Sequence, residues 1–242
     1  MKYCSLFLIG LVACGGAATP PPKDPPPPTT SKRKVIEDTS ADDDTGDGVE
    51  VVSTRGHMEP DDIEAGLAPH QEALESCYTA NLKKRKWLGG KVTLTWQITK
   101  DGVVTAVAVS ESDLGNWNIE KCLLGAARAA TFAKPKGGDA DFSIPLEFTA
   151  KGGTVWWDED VGIKAVGKRV DDLAKCNKDG APAQEVLITM YVGTRGKVQS
   201  VGLSSAGAIA DAWGDCVDKL VGGWTLADPR GKVAKLALRY TP

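Results

Sequence analysis

The 242-residue sequence is poor in the groups that most often carry catalysis or bind nucleic acid. It contains only two histidines, His57 and His70, and its cysteines form no CxxC motif. The formal net charge of −3 is too small and of the wrong sign for nucleic-acid binding, which needs clustered positive charge. No phosphate-binding loop occurs, and Gly202–Ala206 lacks the last glycine of a nucleophile elbow. We therefore expect no enzyme activity, and no metal, cofactor, nucleic acid or small-molecule substrate.

The sequence also lacks an apolar run long enough to cross a bilayer, which takes about 20 residues. The short run Leu6–Val12 follows Lys2 and precedes Cys14, which are the proportions of a signal peptide. The small residues before Cys14 resemble the lipobox of bacterial lipoproteins. This resemblance implies removal of residues 1–13, acylation of Cys14 and sorting to the outer membrane. The alternative is an ordinary signal peptide with a chance cysteine.

Residues 14–59 are predicted to form a disordered tether. The proline runs Pro20–Pro22 and Pro25–Pro28 favour extended polyproline II, a stiff spacer. The basic stretch Ser31–Lys34 and the acidic stretch Glu37–Glu50 have no apolar periodicity, so neither should fold.

Within the acidic stretch, Asp43–Gly48 partly matches a calcium-binding EF-hand loop. Thr45 and Thr54 stand where that loop needs acidic ligands. A solvated linker is the favoured interpretation, and calcium is the alternative.

An internal repeat relates residues 60–151 to residues 152–242. Lys91–Ile98 alternates polar and apolar residues, which predicts a half-buried strand, and Asp101-Gly102 predicts the hairpin turn that follows it. The second copy keeps this pattern at a constant offset, with Val186, Ile188, Met190, Val192, Arg195-Gly196 and Cys216 in place of Val92, Leu94, Trp96, Ile98, Asp101-Gly102 and Cys122.

Helical patterns flank both hairpins. Before them, apolar spacings of three and four end at a cysteine, along Ile63, Leu67, His70, Leu74 and Cys77, and along Ile163, Val166, Val170, Leu173 and Cys176. After them, residues 117–130 and 208–221 predict second helices, and a strand closes each copy. The prediction is an α+β fold of two tandem α-β-β-α-β modules, at 60–151 and 152–242, each an antiparallel sheet with two helices on one face.

Four cysteines remain once Cys4 leaves with the signal peptide and Cys14 takes the lipid. Each copy holds one pair that would join the first helix to the second, and export favours disulfides. We predict Cys77–Cys122 and Cys176–Cys216. A four-cysteine zinc site shared by both copies is the alternative.

The first copy resembles the AgmX/PglI C-terminal domain family, a relative of the TonB C-terminal domain. The matching stretches are Glu75–Tyr78, Gly90–Val92, Ile98–Val104, Cys122 and Phe142–Phe148. The second copy is degenerate, since it lacks the Cys-Tyr pair and the proline. The resemblance implies an envelope location and protein–protein contact, with links to motility in some members. TonB itself keeps a membrane-spanning helix, which this chain exchanges for a lipid, so coupling to a membrane motor is not expected.

TonB-type domains bind partners by strand addition, so the closing strands are the candidate binding sites. Pro145 predicts that the first is a blunted edge strand. The second, Val233–Thr241, has no internal proline, and we expect Lys235, Ala237 and Arg239 to face outward there for a partner. The alternative is that this strand pairs with the other module, through Val155–Trp157, to make one continuous sheet.

Trp156 and Trp157 are interpreted either as an exposed binding platform or as an inter-module packing strand. The remaining tryptophans, Trp87, Trp96, Trp117, Trp213 and Trp224, are assigned to the cores. The leading hypothesis is a lipid-anchored adaptor, on the outer membrane facing the periplasm, that binds another envelope protein. The alternative is a structural subunit of an envelope machine for motility or secretion.

Overall fold

The computed structural model describes residues 56–82 and 85–242. Cys14, the predicted signal peptide, the Asp43–Gly48 stretch and the tether up to residue 55 lie outside the described residues. The described residues belong to one compact unit. Among them, no helix has the length and apolar character that crossing a membrane requires.

The first half of this unit begins with helix α1 and ends with strand β3. Its elements are α1 (Pro60–Leu67), a 3-10 turn (Ala68–His70), α2 (Gln71–Leu82), β1 (Gly90–Ile98), β2 (Val104–Ser112), α3 (Trp117–Arg128) and β3 (Ala140–Phe148). The second half repeats the order after one added strand. Its elements are β4 (Val155–Trp156), α4 (Glu159–Val166), a 3-10 helix (Gly167–Asp179), β5 (Val186–Val192), a 3-10 turn (Thr194–Gly196), β6 (Val198–Ser204), α5 (Asp211–Gly222) and β7 (Ala234–Tyr240).

The strands form two separate sheets, of order β2-β1-β3 and β4-β7-β5-β6. All pairs are antiparallel except β4 with β7, so the predicted α+β class with antiparallel sheets is confirmed. The alternative of one continuous sheet through Val155–Trp157 is wrong, because β4 pairs with β7 of its own half. Pro145 lies opposite Thr93 in β3, which pairs only with β1 among the described strands. The prediction of an edge strand there is therefore confirmed.

The hydrophobic pattern explains which face of each sheet is buried. On β1, Val92, Leu94, Trp96 and Ile98 are at most 1% exposed, whereas the residues between them are partly or fully exposed. The predicted turn follows, with Gly102 at φ +85° donating its N–H to the Thr99 carbonyl at 2.8 Å. A positive φ favours glycine, which accounts for the Asp-Gly signal.

One disulfide in each half ties the helical segments of that half together. Cys77 bonds to Cys122 and Cys176 bonds to Cys216, with Cα–Cα distances of 5.6 and 5.7 Å. The predicted pairing is confirmed, and the zinc alternative is excluded because these four sulfurs are bonded to one another. In the chain-entropy model, such loops stabilise the fold by roughly 4 kcal/mol each.

The folded body starts earlier than the sequence indicates. Gly56 donates its N–H to the Asp139 carbonyl at 2.7 Å, and His57 bridges to Lys136. Met58 is only 7% exposed, which removes residues 56–59 from the predicted tether. Backbone pairing with the first half and burial of Met58 therefore set this boundary.

The first helical segment of the second half is also irregular. α4 ends at Gly167, whose φ of +53° breaks the helix, and a 3-10 helix carries the chain on to Cys176. Ile163, predicted to face the core, is 63% exposed. Its apolar side chain instead lines a surface groove between α4 and β7.

The two halves pack closely on each other. Ser205 donates its N–H to the Val109 carbonyl at 2.9 Å, so the free edges of β2 and β6 face each other. α3 lies against α5, where the Trp117 indole donates to Asp215 at 2.8 Å. Any side chain at Gly214 would overlap that indole. This close approach makes the joint between the halves specific.

Candidate functional site

Beyond the end of β4, strand β7 has an unpaired edge that contains no proline. The edges of β2 and β6 face each other, and the free edge of β3 carries Pro145, which has no N–H to donate. β7 pairs with β5 along its whole length, from Ala234 to Tyr240. On its other side, β4 covers only Ala234 and Lys235.

The bonds from β4 show which backbone groups stay open. Val155 donates its N–H to the Val233 carbonyl at 2.9 Å, and Trp157 donates to the Lys235 carbonyl at 3.0 Å. Backbone groups alternate in direction along a strand, so those of Ala237 and Arg239 face the same side, beyond the end of β4. No described strand pairs with them there. We call residues 236–240 the open edge of β7.

A groove with a volume of about 690 Å³ runs along the open edge. Its walls are apolar side chains of β7 and of the α4 segment: Leu236, Leu238, Ile163, Val166 and Val170. Trp156 and Ile163 stand on the rim, 57% and 63% exposed. Large apolar side chains clustered at a surface groove are typical of a binding site.

The groove is charged differently at its two ends. Asp158 and Glu159 line the end next to β4, and Asp158 also caps α4 by accepting the Val161 N–H at 2.9 Å. Farther along β7 lies Arg239, whose guanidinium pairs with Glu185 at 2.6 Å. Ala237 and Arg239 are exposed, as expected for docking positions.

Lys235 does not face solvent, so the prediction of an outward position there is wrong. Lys235 is 3% exposed, and its Nζ lies 3.3 Å from both the Gly89 carbonyl and Asp113 Oδ2. Nζ also lies over the Trp156 ring, 4.8 Å from its centroid. Burial lowers the pKa of Lys235, and the Asp113 carboxylate opposes that shift.

The physical reason is that the first half covers this end of the second sheet. Tyr191, beside Lys235 on the same outer face, is 1% exposed and donates its hydroxyl to the Gly89 carbonyl at 2.9 Å. Trp87 packs on its ring with centroids 4.6 Å apart. Periodicity marks the outer face of a sheet but not which part another segment covers.

The two central tryptophans differ from the other five. Trp156 and Trp157 sit at β4, which pairs with β7 of its own half rather than bridging to the first half. Trp156 is exposed and Trp157 is partly buried, and both line the groove. Trp96, Trp117, Trp213 and Trp224 are buried as predicted, whereas Trp87 is only partly buried.

A buried polar cluster at the joint between the halves was missed from the sequence. Glu120 is 0% exposed and accepts hydrogen bonds from the Ser112 hydroxyl and the Leu203 N–H, both at 2.7 Å. Burial raises the pKa of Glu120 to about 7, although these donors oppose the shift. Asn116 Nδ2 donates to Ser200 at 2.8 Å nearby. A glutamate on an amphipathic helix gives no signal of such burial.

The described residues contain no cluster of three or more histidine, cysteine, aspartate or glutamate side chains arranged for a metal ion. Comparison of the chain with protein-family models, curated proteins and solved structures finds no match. The family resemblance therefore stays a prediction. The groove and its surroundings are the basis for a functional hypothesis.

Proposed function

We propose that this chain is a lipid-anchored adaptor of the bacterial cell envelope that holds another envelope protein by β-strand addition to the open edge of β7. The supporting observation is an unpaired half-strand directly beside an apolar groove. An extended segment of a partner would pair with the backbone of Ala237 and Arg239. It would also cover the exposed side chains of Trp156 and Ile163.

The energetics favour such an occupant. A typical backbone hydrogen bond contributes about 0.5–1.5 kcal/mol net, so a short ladder alone gives modest affinity. Burial of apolar surface in the groove, which follows β7 from Leu236 to Arg239, adds a favourable contribution that offsets the entropy cost of ordering the partner segment. Pairing supplies affinity and alternate side chains supply specificity, as in other strand-addition complexes.

The anchor is the second part of the proposal. Cys14 would carry acyl chains, and the proline-rich tether would hold the folded body away from the bilayer at about 3.1 Å per residue where it is polyproline II. Labelling of cells with a radioactive or alkyne fatty acid tests it. We expect label on the wild-type chain and none on Cys14→Ser. Equal labelling of both would refute the anchor.

We also propose that the two halves are tandem TonB-C-like modules, the second degenerate. The recurring element order and one disulfide in the same place in each half support this. The two halves are least alike in their first helical segment, which in the second half is split between α4 and a 3-10 helix.

In-cell photocrosslinking tests the adaptor function. A photoreactive amino acid would replace Ala237 or Arg239, with Ser143 and Glu147 of β3 as comparison positions and Lys235 as the buried control. We expect positions 237 and 239 to crosslink to one discrete envelope protein, and the other positions to give little. Crosslinks confined to the chain itself from all five positions would refute docking at the β7 edge.

A structural subunit of a larger envelope machine is the second candidate. The specific joint between the halves, with buried Glu120 and the close Trp117–Gly214 contact, favours it because a rigid body suits a scaffold. Stoichiometry separates the two candidates. An adaptor purifies as a stable monomer, whereas a subunit co-purifies with its machine in fixed ratio.

A further inference from the structure

We infer that the groove beside the open edge of β7 selects an extended protein segment with apolar residues at alternate positions and a lysine or arginine at the end that lies beside Asp158 and Glu159. This inference rests on the proposed strand addition and specifies the chemistry of its partner. It draws on the shape of the groove, the short open edge and the uneven distribution of charge.

The alternation follows from the walls of the groove. Successive side chains of a strand point to opposite faces of a sheet. In a strand added to β7, one set would therefore enter the apolar space between Leu238 and Ile163, where Val166 and Val170 also lie. The other set would lie on the side of Ala237 and Arg239, which is exposed to water. Apolar side chains suit the first set and polar side chains suit the second.

The end of β4 fixes where this segment can lie. β4 ends at Trp156, the N–H of Trp157 makes the last bond to β7, and Asp158 starts α4 as its N-cap. The incoming strand therefore has residues 236–240 to pair with, a length of about 16 Å at roughly 3.3 Å per residue. Its end nearest Leu236 meets Asp158 and Glu159.

The charge of that end is uncompensated by side chains. Asp158 and Glu159 are exposed, and neither forms a salt bridge with a described residue. Arg239, the cation farther along, is already paired with Glu185. The amino end of α4 offsets about half a charge, which leaves about one and a half negative charges in excess. A basic residue in the partner would complete this pairing, and an acidic one would be repelled.

The test uses the purified full-length protein in detergent and fluorescent synthetic peptides. The basic probe is Lys-Lys-Thr-Val-Thr-Val-Thr, with a second version that carries the lysines at the carboxyl end because either strand direction is possible. The acidic counterparts replace both lysines by glutamates. We expect at least one basic probe to bind about fivefold or more tightly than its counterpart, the value of one favourable surface ion pair. N-methylation of the pairing edge should abolish binding.

Matched variants assign the binding to this groove. Glu159→Lys should remove or reverse the preference for the basic probe, whereas Glu72→Lys, also in the first turn of a helix, should leave it unchanged. Ile163→Ser should weaken both probes. Val103→Ser, which alters a side chain of comparable exposure on the first hairpin, should weaken neither. Both apolar changes are at exposed positions, so the fold should survive and can be checked by circular dichroism.

Three results would overturn the inference. Equal binding of basic and acidic probes to wild type and Glu159→Lys would remove the charge selectivity but leave strand addition standing. Failure of every probe, while positions 237 and 239 still crosslink to an envelope protein in cells, would show that the partner has other chemistry. A concentration-dependent dimer, seen by light scattering and lost in Ile163→Ser, would show that the occupant is a second copy of this chain. Loss of the in-cell crosslinks themselves would instead refute the proposed function.

Discussion

The outer faces of the two sheets meet different surroundings, although the repeat puts matching residues on them. Gln97 of β1 is exposed to water, and Tyr191, its counterpart on β5, is 1% exposed beneath the first half. Thr95 is partly exposed and its counterpart Thr189 is buried. The difference shows that two strands with matching patterns share a pleat but not an environment. The first half covers the outer face of the second sheet at Tyr191 and Thr189.

The largest expected loss of stability comes from removing a buried side chain at that interface. Tyr191→Ala removes a buried ring that contacts Trp87 and a hydroxyl that bonds to Gly89, and should lower the free energy of unfolding by about 3–5 kcal/mol. Gln97→Ala, at the matching exposed position, should change it by less than about 0.5 kcal/mol. Chemical denaturation measures both. Equal effects would mean that the second sheet is not covered in solution.

The second-largest expected effect is a pH dependence of the free energy of unfolding, which arises from Glu120 at the joint between the halves. Burial raises the pKa of Glu120 from its ordinary value of 4.5 to about 7, so the folded protein holds this proton more tightly than the unfolded chain does. Its contribution to stability is complete below pH 4.5 and is lost as the pH rises through 7. The loss should reach about 3 kcal/mol between pH 4.5 and 8.

Denaturation curves across this pH range, on wild type and on Glu120→Gln, test the point. The glutamine variant should show a flatter profile, and Glu111→Gln, at an exposed site on β2, should keep the wild-type slope. Parallel slopes in all three proteins would show that Glu120 does not titrate in this range.

A smaller loss of stability is expected when the buried lysine on the outer face of the second sheet is replaced, and an exposed lysine on the first sheet is the control. Lys235→Met removes a buried ammonium but leaves Asp113 half exposed and able to reach water, so a loss of about 1–2 kcal/mol is expected. Lys91→Met, at an exposed site on β1, should be nearly neutral. Thermal unfolding distinguishes the two. A neutral Lys235→Met would mean that the ammonium contributes no net stability.

The smallest effect on stability is expected at the groove itself. Arg239 and Glu185 form an exposed ion pair, and such pairs contribute at most about 1 kcal/mol. Arg239→Gln should therefore fold normally, with a melting temperature close to that of wild type. A strongly destabilised variant would indicate that the open edge supports the fold rather than a partner.

Features set by nearby residues could be predicted from the sequence. The β1–β2 hairpin at Asp101-Gly102, the edge position of β3 and the Cys77–Cys122 and Cys176–Cys216 bonds follow from local pattern and from repeat symmetry. Turn chemistry and strand alternation act over a few residues, so they can be recognised without the rest of the fold.

Features set by contact between the halves could not be predicted. Lys235 has the alternation of an exposed residue, and Glu120 has the polarity of a helix surface. Each is placed by a segment distant in sequence: Gly89 and Asp113 for Lys235, Leu203 for Glu120. Ile163 has the spacing of a core residue but is 63% exposed in the groove of its own half. The open edge of β7 was anticipated, but the groove beside it depends on where α4 lies.

The two disulfides lie within the halves, and neither crosses between them. This arrangement has a mechanical consequence. Under tension between the amino-terminal end at Gly56 and a molecule held on β7, the crosslinks cap how far the segments 77–122 and 176–216 can lengthen. The joint around Glu120 and Trp117 has no such limit, since only residues 149–154 link the halves covalently there. The disulfides therefore hold helical segments of each half together under load but do not hold the halves to each other.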